Sequence, residues 1–319
     1  MTAWFAAAAL AAIVVLLLAH GRGYRRDVEA RWPPQGRFIE AEGARLHVLE
    51  AGPLGARRVL LIHGASANLR EVWAALAPGI EQDHRVTAYD RPGLGHSTRP
   101  RRDGETLALQ ARMAARVLEA GGDGGAIIVG HSLGSAVALR LALDFPQLVA
   151  GLVLIAPASH PYPHNNAWWA RLSAAPVLGD IFCELLIPWL GPIMGQAGVA
   201  NNFWPASTPP NYYEDAGVGL IFRSRAFRSS AQDVCATNGE FAAQAPNYPD
   251  ILAPAVIITA DKDKVVSPKR HARALAAEMP AAELVIAPGT GHMPHRLRTD
   301  LVLAAIRRVQ AMATLPSGD

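Results

Sequence analysis

At 319 residues, half of them apolar, the chain is long enough for one large α/β domain carrying an insertion and too apolar for global disorder. The net charge is only +3, with basic side chains that are nearly all arginine, and no basic stripe interleaves with aromatics, which argues against nucleic acid as a partner. The two cysteines, Cys183 and Cys235, form no C-x-x-C pair and lack histidines at metal-ligand spacing, so free thiols are expected.

The chain opens on an uncharged run, Ala3 to Ala19, that as a helix spans roughly 25 Å, close to the hydrocarbon thickness of a bilayer. Trp4 suits one interface; Arg22, Tyr24, Arg25 and Arg26 suit the other. A cleaved signal peptide would have a basic start and a small-x-small cleavage site after a shorter apolar core; here Met1-Thr2 carries no basic side chain and the run ends in His20-Gly21-Arg22, so residues 1–26 read as a single-pass anchor. The arginines on its C-terminal side place the remaining chain in the cytoplasm; a signal peptide would instead make it periplasmic or secreted. Residues 27–36 read as a linker, with Pro33-Pro34 barring helix.

From residue 37 an alternating pattern around Glu42-Gly43 predicts an antiparallel hairpin. Buried-strand runs follow at Val59–Ile62, Arg85–Tyr89, Ala126–Val129, Gly151–Ile155, Ala255–Thr259 and Glu283–Ala287. Helices are predicted near 69–78, 105–120, 133–144, 268–279 and 299–313. Such alternation implies a mostly parallel sheet covered on both faces. The interval between the fourth and fifth of those runs is too long for a crossover. Residues 158–248 therefore read as an inserted helical cap, splitting a core of 37–157 and 249–315. Four of the seven tryptophans fall in the cap, and Trp168, Trp169 and Trp204 are candidate substrate contacts.

Within this frame Gly130-His131-Ser132-Leu133-Gly134 stands where a β-branched run gives way to an alanine-rich helix. Glycines permit the sharp turn that lifts a serine hydroxyl off a sheet. The same turn leaves the Leu133 N–H at a helix N-terminus, ready for an anion. A serine nucleophile needs a base and a group to orient it. His292, in the loop after the last strand, suits the base, with His295 as the alternative. Asp261 and Asp263 both follow the fifth run, and position alone does not separate them.

Together these segments resemble the α/β-hydrolase family of serine hydrolases, over residues 37 to 313. "LLIHGAS" resembles its strand-HG-x oxyanion turn, "AYDRPGLGHS" its D-x-x-G-x-G-x-S segment, and "GHSLG" its nucleophile elbow. "ITADKDKVV" and "GTGHMPH" resemble its acid and histidine loops. The resemblance implies an eight-stranded, mostly parallel sheet flanked by helices. It implies Ser132, His292 and Asp263 as a triad, and the N–H groups of Ala65 and Leu133 as oxyanion donors. Alanine at position 260 replaces the family's usual glycine.

The expected reaction is hydrolysis of a small-molecule ester or lipid with an apolar acyl group, through an acyl-enzyme, without metal or organic cofactor. A serine-dependent carbon–carbon hydrolase or cofactor-free peroxidase would use the same residues. A non-enzymatic anchored binding protein would need none of them.

Overall fold

The computed structural model describes residues 2–163 and 168–314. Cap residues 164–167, Met1 and the expected end of the core at residue 315 lie outside the described residues. The first helix, α1, runs from Thr2 to Arg31 without interruption. The linker expected at 27–36 is thus helical over its first five residues, a correction with a simple cause. The residues after the arginines are good helix formers, and only Pro33, which disfavours helical backbone in the residue before it, ends the run. The boundary drawn at residue 26 falls inside this helix.

The hairpin follows as β1 (Arg37–Ala41) and β2 (Ala44–Ala51). Then come β3 (Arg57–Ile62), α2 (Leu69–Leu76), β4 (His84–Tyr89), α3 (Leu107–Ala120), β5 (Ala126–His131), α4 (Leu133–Asp144) and β6 (Val149–Ile155). Between β6 and β7 lie α5 (Trp168–Ala174), α6 (Leu178–Phe203), α7 (Tyr212–Asp215) and α8 (Ser224–Gln244). The chain closes with β7 (Ala255–Ala260), α9 (Ala272–Glu278), β8 (Ala282–Ala287), α10 (Pro294–Leu297) and α11 (Thr299–Thr314). Helix α3 starts two residues later than its pattern predicts because the Thr106 hydroxyl caps it, accepting from the Leu109 N–H at 3.3 Å.

The eight strands form one sheet in the order β1-β2-β4-β3-β5-β6-β7-β8, antiparallel where β2 pairs with β1 and β4, parallel elsewhere. Alternation along each strand feeds two cores. Leu60, Ile62, Ile128 and Leu154 face α3 and α4, while Val59, Leu61, Val129 and Val153 face α2 and α11. Parallel strands end together, so the loops after β3, β5, β7 and β8 gather along one edge under the cap helices.

The cap has a core of its own, built on Cys183, Ile187, Phe203, Tyr212 and Phe222, and Tyr24 of α1 packs into it. Val28 and Trp32 are buried with Leu220. Cys183 is buried and Cys235 half-buried, both as free thiols.

Candidate active site

Strand β5 hands over to α4 at Ser132, whose backbone sits at φ +52°, ψ −119°. A non-glycine residue in that region is strained, by on the order of 1–3 kcal/mol. The neighbouring glycines make it possible. A β-carbon at Gly130 would overlap the Gly134–Ser135 backbone, and one at Gly134 would overlap the Ile62 and His63 carbonyls. The turn after β3 is pressed against the serine: a β-carbon at Gly64 would lie 3.1 Å from that of Ser132.

Two other loops meet the serine. The Ser132 hydroxyl donates to His292 Nε2 at 3.0 Å, and His292 Nδ1–H donates to Asp263 Oδ2 at 2.8 Å. This tautomer follows from the carboxylate, which can only accept. Asp263 Oδ1 is held by the N–H groups of Val265 at 2.8 Å and Val266 at 2.9 Å. Ser132, His292 and Asp263 are each at most 8% exposed, which shields their interactions from water.

Asp261, left open by position, turns away from the histidine. Its Oδ1 accepts from the Gly289 N–H at 2.6 Å and its Oδ2 lies 3.6 Å from the Lys262 ammonium. Among the described residues, the N–H groups of Ala65 and Leu133 bond to no protein acceptor. The Ser66 hydroxyl is 2.7 Å from that of Ser230 on α8, so it braces the cap. Asp90 braces loops too, accepting from His47 Nδ1–H and the N–H groups of Leu69 and His96 at 2.7–2.8 Å.

His295 is not at the serine. Its Nε2–H donates to Glu71 Oε1 on α2 at 2.7 Å. His131, between the two, donates from Nε2 to the His292 carbonyl at 3.0 Å and stacks beside both rings. Burial would raise the Glu71 carboxyl, but the attraction and hydrogen bond of His295, with the charge of Arg296, bring it down to about 2. Burial pushes His131 well below the ordinary histidine value, so its ring is neutral. Glu71, His131 and His295 bring ligand atoms within 4.8 Å of one another, the spacing of a metal site. The Arg296 guanidinium, 3.6 Å from Glu71, already supplies positive charge there, so the group serves as a brace for the histidine loop.

His63 is also structural. Its Nδ1–H donates to Gly64 O at 2.9 Å and its Nε2 accepts from the Arg91 N–H at 3.0 Å. Burial and the Arg91 charge push it down to about 4. Sequence reasoning missed Arg91 itself, which is wholly buried and pairs with Asp233 of α8, tying core to cap. The hydroxyl of Tyr162, one of the cap aromatics, is pushed up by burial and by Asp263.

Of the three candidate tryptophans, Trp204 is brought to the histidine loop. A β-carbon at Gly291 would strike its carbonyl, the neighbouring Asn202 O accepts the His292 N–H at 2.8 Å, and Lys264 sits 3.1 Å over its ring. Trp169 stacks on Phe227 inside the cap and Trp168 is exposed on α5. A large cleft of about 860 Å³ lies elsewhere, between α1, the 93–105 loop and α8, and contains no member of the serine–histidine–aspartate group.

The crossover order, with one antiparallel hairpin at the β1 edge and a serine on the β5–α4 turn, defines the α/β-hydrolase class of fold. Residues 59–305 match the model of the alpha/beta hydrolase family, and the chain belongs to that family. An uncharacterized protein of Mycobacterium tuberculosis is 30% identical over 278 residues, 84% of this chain and 78% of that one. Lipase LipV of the same organism is 34% identical over 166 residues, 52% of this chain and 58% of its own. Among solved structures, the enol-lactonase of Burkholderia xenovorans LB400 superposes with a TM-score of 0.69 at 20% identity, covering 86% of this chain and 100% of its own. A bacterial membrane phospholipase A superposes at 0.67 and 21% identity, covering 98% and 96%. At such identities the structural likeness concerns the fold.

Proposed function

We propose that the chain is a serine hydrolase cleaving carboxylic esters with apolar acyl groups. The observation that carries this is the pair of hydrogen bonds, 3.0 and 2.8 Å, that links Ser132 through His292 to Asp263 across three loops. As the Ser132 oxygen attacks the ester carbonyl, its proton passes to His292 Nε2, and Asp263 holds the ring and stabilises the imidazolium. The oxyanion is received by the N–H groups of Ala65 and Leu133. Collapse expels the alcohol, which takes the proton from His292. Water, activated by the same imidazole, then releases the acid from acyl-Ser132.

Every step uses groups of the chain itself, so no metal or organic cofactor is invoked. Lipase, phospholipase and lactonase, the activities of these similar proteins, are all cleavages of ester bonds, which supports the ester over a carbon–carbon substrate. Trp204 is the tryptophan best placed to line the acyl site.

The apolar half of α1 serves in this proposal as an uncleaved anchor. Tyr24, Val28 and Trp32, on the same uninterrupted helix, are packed into the cap, so the apolar half is continuous with the fold. Arg22, Arg25 and Arg26 put the catalytic domain on the cytoplasmic side.

A fluorophosphonate probe tests the chemistry. The folded protein is expected to label, Ser132→Ala to stay unlabelled, and Ser132→Ala and His292→Ala each to lose on the order of 10⁴-fold or more in ester turnover. A folded wild type that does not label would leave the chain a binding protein.

A further inference from the structure

We propose that the cap itself docks on the bilayer, through the apolar face of α6 and an arginine cleft beside it that receives anionic lipid headgroups. From Leu185 to Phe203, α6 carries no charged side chain. Trp189, Leu190, Ile193 and Met194, spaced to share one face, are all exposed, Ile193 by 72% and Met194 by 65%. A soluble domain rarely leaves such a patch bare.

Its position relative to α1 names what covers it. Gly21 lies under the Glu184 carbonyl and Pro188, while His20 stacks on Trp189 with ring centroids 3.9 Å apart. Tyr24 packs in the cluster of Cys183 and Ile187. Descending numbers on α1 thus meet ascending numbers on α6, so beyond Trp189 helix α6 continues toward the uncharged half of α1. The last charges on α6, Asp180 and Glu184, and the first on α1, Arg22 and Arg25, fall at one level. Two neighbouring helices change from charged to apolar at the same depth, which is the profile of a membrane interface.

At that level lies the 860 Å³ cleft, lined by eight arginines and four carboxylates. Three of the carboxylates are taken within the cleft: Glu29 by Arg223 at 2.7 Å, Glu105 by Arg99 at 3.5 Å and Asp180 by Arg228 at 2.9 Å. Arg22, Arg25, Arg45, Arg101 and Arg225 remain against Glu184 alone. Guanidinium forks match phosphate oxygens, and a leaflet rich in anionic lipid presents them at this depth.

The docking rests on the anchor reading of α1 but not on the hydrolytic chemistry, and is tested without it. The full chain, reconstituted in vesicles of phosphatidylcholine alone or mixed with phosphatidylglycerol, carries a nitrobenzoxadiazole probe on Ile193→Cys. Leu54→Cys, exposed at the opposite end of the sheet, is the reference, and the unsubstituted chain labelled in parallel is the blank. The probe at 193 is expected to be quenched by spin-labelled lipid and shielded from iodide, the probe at 54 the reverse. Phosphatidylglycerol should raise lipid quenching at 193 severalfold, and Arg22→Gln with Arg25→Gln and Arg225→Gln should abolish the rise. Iodide access at 193 equal to that at 54 overturns the docking. So does shielding from both quenchers, which would mean that a second copy covers the face. A rise that survives loss of the arginines, or is reproduced by soluble glycerophosphate, overturns the headgroup site.

Discussion

Ser132 holds a backbone conformation that a free chain avoids, and the site depends on the two glycines that let it do so. That much is legible from five residues, because only glycine permits the turn. The choice between Asp261 and Asp263 is not legible from spacing, since both follow the same strand; it needs the direction of each side chain. Asp263→Asn still accepts from Val265 and Val266 through its oxygen and should fold normally. Its amide cannot hold Nδ1–H, so His292 is left in the wrong tautomer. Ester turnover is expected to fall about 10⁴-fold. Asp261→Asn loosens only the Gly289 turn and should leave turnover near wild type. Steady-state rates on a short-chain ester decide, and the reverse ranking would move the acid to Asp261.

Among the elements, strands and core helices follow their periodicity closely, since burial on two faces leaves a strong pattern. What the pattern hides is how elements are tied to one another. Glu71 on α2, His131 on β5 and His295 on α10 come together only in the fold, and so do Arg91 and Asp233. These buried ionisable groups make stability depend on pH. His63 and His271, both pushed down to about 4 mainly by burial, stay neutral in the fold while the unfolded chain takes protons below about 6.5. Stability should therefore fall as pH drops from about 6.5 to about 4. Glu71, depressed from 4.5 to about 2, contributes stability that is whole above 4.5 and is lost as pH falls toward 2. Urea midpoints across this range should decline in both windows. Glu71→Gln should flatten the lower one while costing about 1–3 kcal/mol at neutral pH, where its oxygen still accepts from His295 but the negative charge beside Arg296 is lost. An unchanged acid limb in Glu71→Gln would take Glu71 out of the account.

At the scale of the whole molecule, the apolar run at the start is plain in the sequence, but its continuation into the fold is not. Arg22 to Arg26 look like the end of a membrane segment, and nothing in the residues after them marks a helix destined for burial against a distant insertion. Tyr24 donates its hydroxyl to Gly219 O at 2.9 Å, and Trp32 donates its indole N–H to Glu214 O at 3.0 Å. Arg223 reaches back to Glu29 at 2.7 Å. The helix therefore has two jobs, split near residue 20, and two truncations should separate them. Removing residues 1–19 leaves every one of these contacts and should give a folded protein that no longer sediments with vesicles through the anchor. Removing residues 1–32 strips the cap of Tyr24, Val28 and Trp32. Trp32→Ala alone should cost about 3–5 kcal/mol by the usual penalty for emptying an aromatic site. Limited proteolysis should then cut first within residues 178–244, while the sheet resists. Equal protease resistance of the two truncated chains would mean that the cap stands without α1.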